Sequence, residues 1–442
     1  TTEIYTLSLH DALPICRYIY CNIRSLNVFI VFNMHLREFI WIFGDVFFWS
    51  ELMRFLHTAD WHLGKSFFEK SLVEDQAFFL EQLKTELKNN YDALIVSGDI
   101  YDRSVPPSDA VTLLGSFLSQ IHGSFPELHI FLLAGNHDSA ERLSFAKEIL
   151  GESNIHLCTD CRAFTEPVII GDTAVYQLPF LTAGCICKTN SDEILRSQQD
   201  LLSAAVTEIE SFHKKKYPSL NSVLSAHLFA AGGLRSDSER IPVGTADQVD
   251  AALLDFFDYT ALGHLHSFQK AGKSAWYSGS PLSYSFDEAG SAKFMLDVKL
   301  ENHCASINKI PVKPLHRCSV IKGTFAELKN ASSFSEYEDD YVQAVCTDLS
   351  VVANPMAVLR KRYENILSFG YERKNSNNTR SDSIQKRREL LDASSSVESY
   401  SKVFEAFLDD LYGPGCICSD NSFSKEVEEF KKACDELNKL GE

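Results

Sequence analysis

The chain has 442 residues, 45% hydrophobic and 23% charged, a mixture that excludes a disordered or low-complexity protein and leaves room for two or three domains. A formal net charge of −18 and a pI near 5.2 exclude a protein that grips nucleic acid through overall charge. Direct affinity for duplex should be modest unless bound cations or a basic partner reverse the field locally.

The first 52 residues do not behave like the start of a domain. TTEIYTLSLHDALPI resembles a translated sequencing adapter, and the segment after it resembles upstream DNA read in frame, so Met53 is taken as the native start with about 390 residues following. A membrane anchor over residues 27–50 is the competing idea. Arg37, Glu38 and Asp45 interrupt that apolar run before it reaches the ~18–20 residues that a span needs.

From Met53 onward, short apolar runs alternate with segments of helical periodicity. Met53-Arg54-Phe55-Leu56 suits a buried strand. Residues 75–88 and 108–121 carry apolar residues at helical spacing, the second after Pro106-Pro107 with Ser108 as its expected cap. The runs ALIVSGD (93–99), HIFLLAGNHD (129–138), SVLSAH (222–227) and DYTALGHLH (258–266) each end in Gly, Asp, Asn or His. They read as strands of a layered α/β protein whose polar residues collect at strand ends. Twelve cysteines match no paired zinc pattern: only Cys158-Thr-Asp-Cys161 is a C-x-x-C and nothing completes four ligands, so reduced thiols in a cytoplasm are the simpler reading. After about residue 312 the composition changes, and 341–370 reads as strand, helix, strand, a small α+β unit. Polar NSNNTRSDSIQKRRE (375–389) reads as a linker or exposed helix start. Amphipathic segments at 402–413 and 425–440 close the chain, either packing on their own domain or binding a partner.

Five separated segments supply one set of metal-ligand types: Asp60-x-His62, Gly98-Asp99, Gly135-Asn136-His137-Asp138, His227 and Gly263-His264-Leu265-His266. Carboxylate and amide oxygen combined with imidazole suits a hard-to-borderline divalent ion such as manganese, and suits calcium or copper poorly. Seven side chains (Asp60, His62, Asp99, Asn136, His227, His264, His266) are too many for one ion but fit two that share a carboxylate. Asp99, after Gly98 at a central strand's end, is the natural bridge. Ions held roughly 3.5–4 Å apart let a shared hydroxide attack phosphorus in line while both steady the charged oxygens. The glycines are expected to let the backbone turn where a side chain would block the ions. Singly each element is weak, since a lone histidine such as His227 is more often a core or surface residue. The ordered set, each member after an apolar run, carries the reading.

These motifs are similar to those of the calcineurin-like metallophosphoesterases, and more closely to the SbcD-type bacterial nucleases among them. DWHLGK (60–65), SGDIYDRSVPP (97–107) and AGNHDS (134–139) carry the general likeness; GGLRSDSERIPVG (232–244), FDYTALGHLHSFQ (257–269) and YSGSPLSYSFDE (277–288) carry the closer one. The resemblance covers most of Met53 to about Lys374 and is thinner in the tail. It implies a four-layer α-β-β-α metallophosphoesterase sandwich over 53–312, a small α+β capping domain over 313–375, and a linker and helical ATPase-binding segment over 376–442. It also implies a two-metal phosphodiesterase, usually manganese-dependent with magnesium as the alternative. Such enzymes cut DNA ends, hairpins and single strands in repair, recombination and replication, in the cytoplasm at the nucleoid. The implied partners are DNA and SbcC, a coiled-coil ATPase that supplies much of the DNA grip. A homodimer within a heterotetramer would form through helices near 108–121 and 139–150, with no membrane involved.

By the family pattern, one ion would take Asp60, His62, Asp99 and His266, and the other Asp99, Asn136, His227 and His264. His137 would stay free of metal and protonate the leaving oxygen or stabilise the transferring phosphoryl group, and Asp138 would orient it through a hydrogen bond. Asp99-Ile-Tyr-Asp102-Arg103 also resembles the GDxxDR signature of protein phosphatases. Those enzymes continue with glycine and use GNHE, where this chain has Ser104 and Asp138. Arg103 either touches phosphate or is an exposed structural arginine. Two rival functions stand beside the nuclease: a small-molecule or protein phosphatase on the same scaffold, and a non-catalytic scaffold, against which the full complement of ligand types speaks.

Overall fold

Period-two alternation along the strands decides which way each layer faces. The computed structural model describes residues 52–372 apart from 146, 161–163, 183–184, 186–194, 196 and 231–247, together with 404 and 427–433. In the strand Ala93–Val96 all four residues are buried, because Ala93 and Ile95 point to one side and Leu94 and Val96 to the other and both sides are covered.

Two six-stranded sheets are stacked. The first runs in the order Cys304–Val312, Lys293–Glu301, Met53–Thr58, Ala93–Val96, His129–Leu133, Ile155–Cys158; its last four strands are parallel and its first two form an antiparallel extension. The second runs Gln269–Ala271, Ala275–Tyr277, Tyr259–Gly263, Asn221–His227, Thr173–Leu178, Val168–Ile170, with the middle four parallel. Between them Phe55, Ala93, Ile95 and Phe131 meet Val175, Val223, Tyr259 and Ala261. Leu94, Val96, Ile130 and Leu132 pack instead with Phe79, Leu80 and Leu83 of the Val73–Glu86 helix and with Leu114, Phe117 and Ile121 of the Ser108–Ser124 helix. On the far side, Tyr176, Leu224, Ala226 and Leu262 lie against Leu201, Leu202, Ala205 and Ile209 of the Gln198–Lys216 helix. The order of layers is α-β-β-α, as the resemblance implies.

Local departures from expectation have local causes. Ser108 does not cap its helix: Pro107, extended at φ −66° and ψ 154°, occupies the cap position and Ser108 is already helical. The small unit has one strand more than the strand-helix-strand reading. Cys318–Gly323, Tyr341–Cys346 and Ile366–Tyr371 form a three-stranded parallel sheet, with helices Phe325–Asn330 and Pro355–Leu359 in the connections. The first helix is announced by a capping box in which Thr324 and Glu327 bond reciprocally, a T-x-x-E signal legible in the sequence. Its own core comprises Ile321, Leu328, Val342, Ala344, Leu359 and Tyr363. The unit is seated on the sandwich by the buried Asp75 carboxylate, which accepts from Tyr341 Oη (2.6 Å) and His316 N (3.1 Å). Most of the two terminal amphipathic segments lies outside the described residues; 427–433 is helical, and Phe430 stacks on Phe404 with ring centroids 4.3 Å apart.

Candidate metal centre

Parallel pairing assembles the site. Met53–Thr58 lies beside Ala93–Val96, and backbone bonds continue past both ends: Asp60 N to Gly98 O (3.1 Å), His62 N to Asp99 O (2.9 Å) and Leu63 N to Ile100 O (2.8 Å). In the other sheet Gly263 pairs with His227. Parallel strands share a carboxyl end, so the residues just beyond them emerge together.

The backbone there is forced. Asp60 (φ 54°), His62 (φ 44°), Asp99 (φ 47°) and His264 (φ 108°) all have positive φ, at a cost on the order of 1–3 kcal/mol each that only over-determined surroundings sustain. Gly98 turns at φ +91°, where a Cβ would lie 2.2 Å from His227 Nδ1; a Cβ on Gly135 would lie 2.1 Å from Asp99 Oδ1. The glycines make room for the candidate ligands themselves, not directly for ions.

All seven predicted ligands come together. On one side His62 Nε2 lies 3.2 Å from His266 Nε2 and 3.7 Å from Asp99 Oδ2, and Asp60, His62 and His266 offer donor atoms within 4.8 Å of one another. On the other side Asn136 Oδ1 lies 3.0 Å from His227 Nε2 and 3.1 Å from His264 Nδ1, with Asp99 Oδ2 at 3.5 Å from His227 Nε2. Asp99 Oδ2 is the atom common to both sides. Asp60 also accepts from the backbone of His264 (2.9 Å), which ties the two sheets at this point.

The donor chemistry fits a cation. His227 Nδ1 lies 2.9 Å from the Ser97 carbonyl, so it carries the proton and donates there. That leaves the Nε2 lone pair facing two oxygens, Asn136 Oδ1 and Asp99 Oδ2, a cluster of acceptors that a proton or a metal ion would satisfy. Without a cation, a proton on Nε2 would supply this role. Burial opposes a charge on His227, but the carboxylates of Asp99 and Asp60 prevail and push it up to about 9. Asp99 is likewise desolvated, yet His227, His62 and His137 hold it well below the usual carboxylate range. Burial pushes Asp60 up to about 7, against the pull of His227 and His266.

His137 sits within reach of the first group, its Nε2 4.0 Å from Asp99 Oδ2, and His62, Asp99 and His137 form a further cluster of possible ligands. Its orientation differs from the one expected. Nδ1 donates to the carbonyl of Asp102 (2.8 Å), and the backbone N–H donates to Asp99 Oδ1 (3.0 Å). Asp138 does not orient the ring. Its carboxylate instead accepts three backbone N–H groups, from Ile100 (3.0 Å), Tyr101 (2.9 Å) and Gly135 (3.0 Å), clamping the turn that carries Asp99 to the turn that carries Asn136. Burial and the Asp99 charge push Asp138 up to about 7 while those three donors oppose the shift.

Four supporting residues went unpredicted. The Gln76 amide donates to the carbonyls of His62 (2.7 Å) and Trp61 (3.3 Å) and accepts from Gly64 N (2.9 Å). Tyr284 Oη donates to Trp61 O (2.6 Å), and its ring stands edge-on to His62 and His266. Glu288 and Lys293 form a buried ion pair next to His266. Tyr284 and Glu288 fall in the YSGSPLSYSFDE stretch, whose density of polar residues after a strand was the available signal. Arg103 is 62% exposed and lies 3.5 Å from Asp102. Cys158 is buried in the Ile155–Cys158 strand, whereas Cys161 and the 232–244 stretch lie outside the described residues. A groove of about 610 Å³ opens beside Asn136, lined in part by Glu141, Thr159, Asp160 and Phe180.

Residues 53–268 match the family model described as calcineurin-like phosphoesterase. The chain is similar to SbcD, the nuclease component of SbcCD, from Staphylococcus saprophyticus, at 32% identity over 320 residues, covering 72% of this chain and 84% of that protein. Among solved structures it is similar to a dimetal phosphatase from Danio rerio, at 11% identity and a TM-score of 0.35, covering 59% of this chain and 99% of that one.

Proposed function

The chain belongs to the calcineurin-like phosphoesterases, and within them to the SbcD nuclease family, and from that premise we propose that it hydrolyses DNA phosphodiesters as the nuclease component of an SbcCD complex. Two divalent cations, with manganese the expected ion, would supply an activated water and charge neutralisation at phosphorus. Asp60, His62, Asp99 and His266 would hold one, and Asp99, Asn136, His227 and His264 the other. The observation that carries the reading is Asp99 Oδ2, which lies 3.7 Å from His62 Nε2 and 3.5 Å from His227 Nε2, between the two groups of candidate ligands.

His137 serves the reaction in this reading rather than a cation. Its Nδ1–H is committed to Asp102 O, so Nε2 is the nitrogen directed at the reacting group, where it protonates the leaving oxygen or steadies the phosphoryl group. The acidic groove and the charge of −18 support a division of labour in which the ATPase partner, SbcC, supplies the grip on DNA. Exposed Val111, Phe145 and Ile149 support a second copy docking through the helices near 108–121 and 139–150, and the 313–375 unit would cap the cleft. No helix of the described residues is long and apolar enough to cross a membrane.

The test is cleavage of single-stranded DNA and hairpins by purified protein with Mn2+. Asp99→Asn should abolish cleavage, and His137→Ala should lower kcat roughly 10²–10⁴-fold while both ions still bind. Cleavage that survives Asp99→Asn rules out the bridging assignment. Faster turnover of p-nitrophenyl phosphate than of its bis-ester would favour the phosphatase.

A further inference from the structure

A buried ion pair sits on the side of the His266 ring opposite His62. Glu288 is 2% exposed and Lys293 8%. The Lys293 ammonium donates to Glu288 Oε2, to the His266 carbonyl (3.0 Å) and to Ser280 Oγ (3.0 Å), which uses all three of its protons. Glu288 Oε1 lies 3.6 Å from His266 Nδ1 and accepts from Ser285 Oγ (3.0 Å) and Tyr284 N (3.3 Å). Burial alone would push the Glu288 carboxyl up, but His266 and Lys293 hold it below the usual range.

Such a pair is an expensive way to fill a core. Apolar residues of the same volume are often as stable or more so, because two desolvated charges recover little beyond what they lose. The placement gives the charges a second use. A carboxylate facing Nδ1 favours the tautomer whose proton sits on that nitrogen and leaves the lone pair on Nε2, which is the atom 3.2 Å from His62 Nε2. The same lysine anchors the backbone carbonyl of His266, so ring tautomer, ring plane and backbone are all set by one pair. Carboxylates that act on a ligating histidine in this way commonly change metal affinity by 10–100-fold.

We propose that Glu288, held by Lys293, is a positioning residue that fixes His266 with Nε2 directed into the metal centre and thereby sets the affinity of one cation site. The affected site is the one built from Asp60, His62 and His266; the one built from Asn136, His227 and His264 is untouched. The inference rests on the two-cation reading above. Because Lys293 would be left as an uncompensated buried cation, Glu288→Gln should weaken binding through charge as well as through orientation. The neutral pair Glu288→Gln/Lys293→Met should recover the charge part only.

The experiment is Mn2+ titration of the metal-free protein by calorimetry, with electron paramagnetic resonance counting free ion, alongside thermal melts. Wild type should bind two ions. In Glu288→Gln one should weaken about 10–100-fold and the other should stay within about twofold. The double variant should fall between them. Should Glu288→Gln not fold, Glu288→Asp, which draws the carboxylate back from the ring by one methylene, should weaken the same site by a smaller factor. Equal binding of two ions by wild type and variants, or equal loss at both sites, overturns this inference alone. Wild-type protein that binds no Mn2+ overturns it together with the reading it rests on.

Discussion

Adding Mn2+ to the metal-free protein should expel protons, in a number that follows from the site. His227 at about 9 and Asp60 at about 7 both hold protons that a cation must replace. At pH 7.5 His227 would be almost fully protonated and Asp60 about a quarter, so these two groups together contribute about 1.2 protons to the release. The same arithmetic gives about 1.9 protons at pH 6 and about 0.8 at pH 8.5. Integrated over that interval, the contribution of these two groups to the overall binding constant rises by about three decades. Calorimetry in buffers of different ionisation enthalpy reads the proton count directly from the slope of apparent against buffer enthalpy. Asp99→Asn removes the strongest carboxylate neighbour of His227 and should lower the release at pH 7.5. A binding enthalpy independent of buffer, below about 0.3 protons released at pH 7.5, would refute the view that a proton shared around His227 substitutes for the cation.

Two further outcomes follow from the same contacts. Because the folded pKa of His227 lies above its unfolded value of 6.5, its contribution is complete below pH 6.5 and is lost as pH rises through about 9. The metal-free protein should lose on the order of 3 kcal/mol across that window, seen as a falling Tm, and saturating Mn2+ should flatten the decline. A metal-free Tm that rises between pH 6.5 and 9 would contradict the assignment. Asp138→Ala strands three backbone N–H groups and should destabilise by about 3 kcal/mol after allowance for partial access of water. Chemical denaturation checks the loss.

Much of the site is legible from local pattern. Asp60, Asp99, His227 and His264 each follow a short apolar run, and each run becomes a buried strand because both faces of both sheets are covered. Once the strands are parallel, their carboxyl ends coincide without further information, so a list of polar residues after strands is already a list of neighbours. The strand Cys318–Gly323 escaped that logic. It has the burial pattern of an edge, with buried, partly buried and exposed residues mixed, and its strongest cue is the capping box that starts the next helix.

The supporting residues were hidden for a different reason. Gln76 acts on His62 from 14 positions away, Tyr284 on Trp61 from 223, and Asp138 on Ile100 from 38; no periodicity encodes such pairs. Asp138 shows how adjacency misleads. A carboxylate next to a histidine invites the idea that one orients the other, but consecutive residues in a turn project in different directions. Here the imidazole finds a carbonyl 35 positions back while the carboxylate finds two amides 37 and 38 back. The two side chains reach the same loop from opposite sides, so the loop after Ala93–Val96 is held both by the group that would do chemistry and by the group that keeps it in place. That double attachment is what allows Asp99 to remain at a positive φ between two imidazole clusters, and it makes the geometry of the bridge depend on Asp138 although Asp138 touches no candidate ligand side chain.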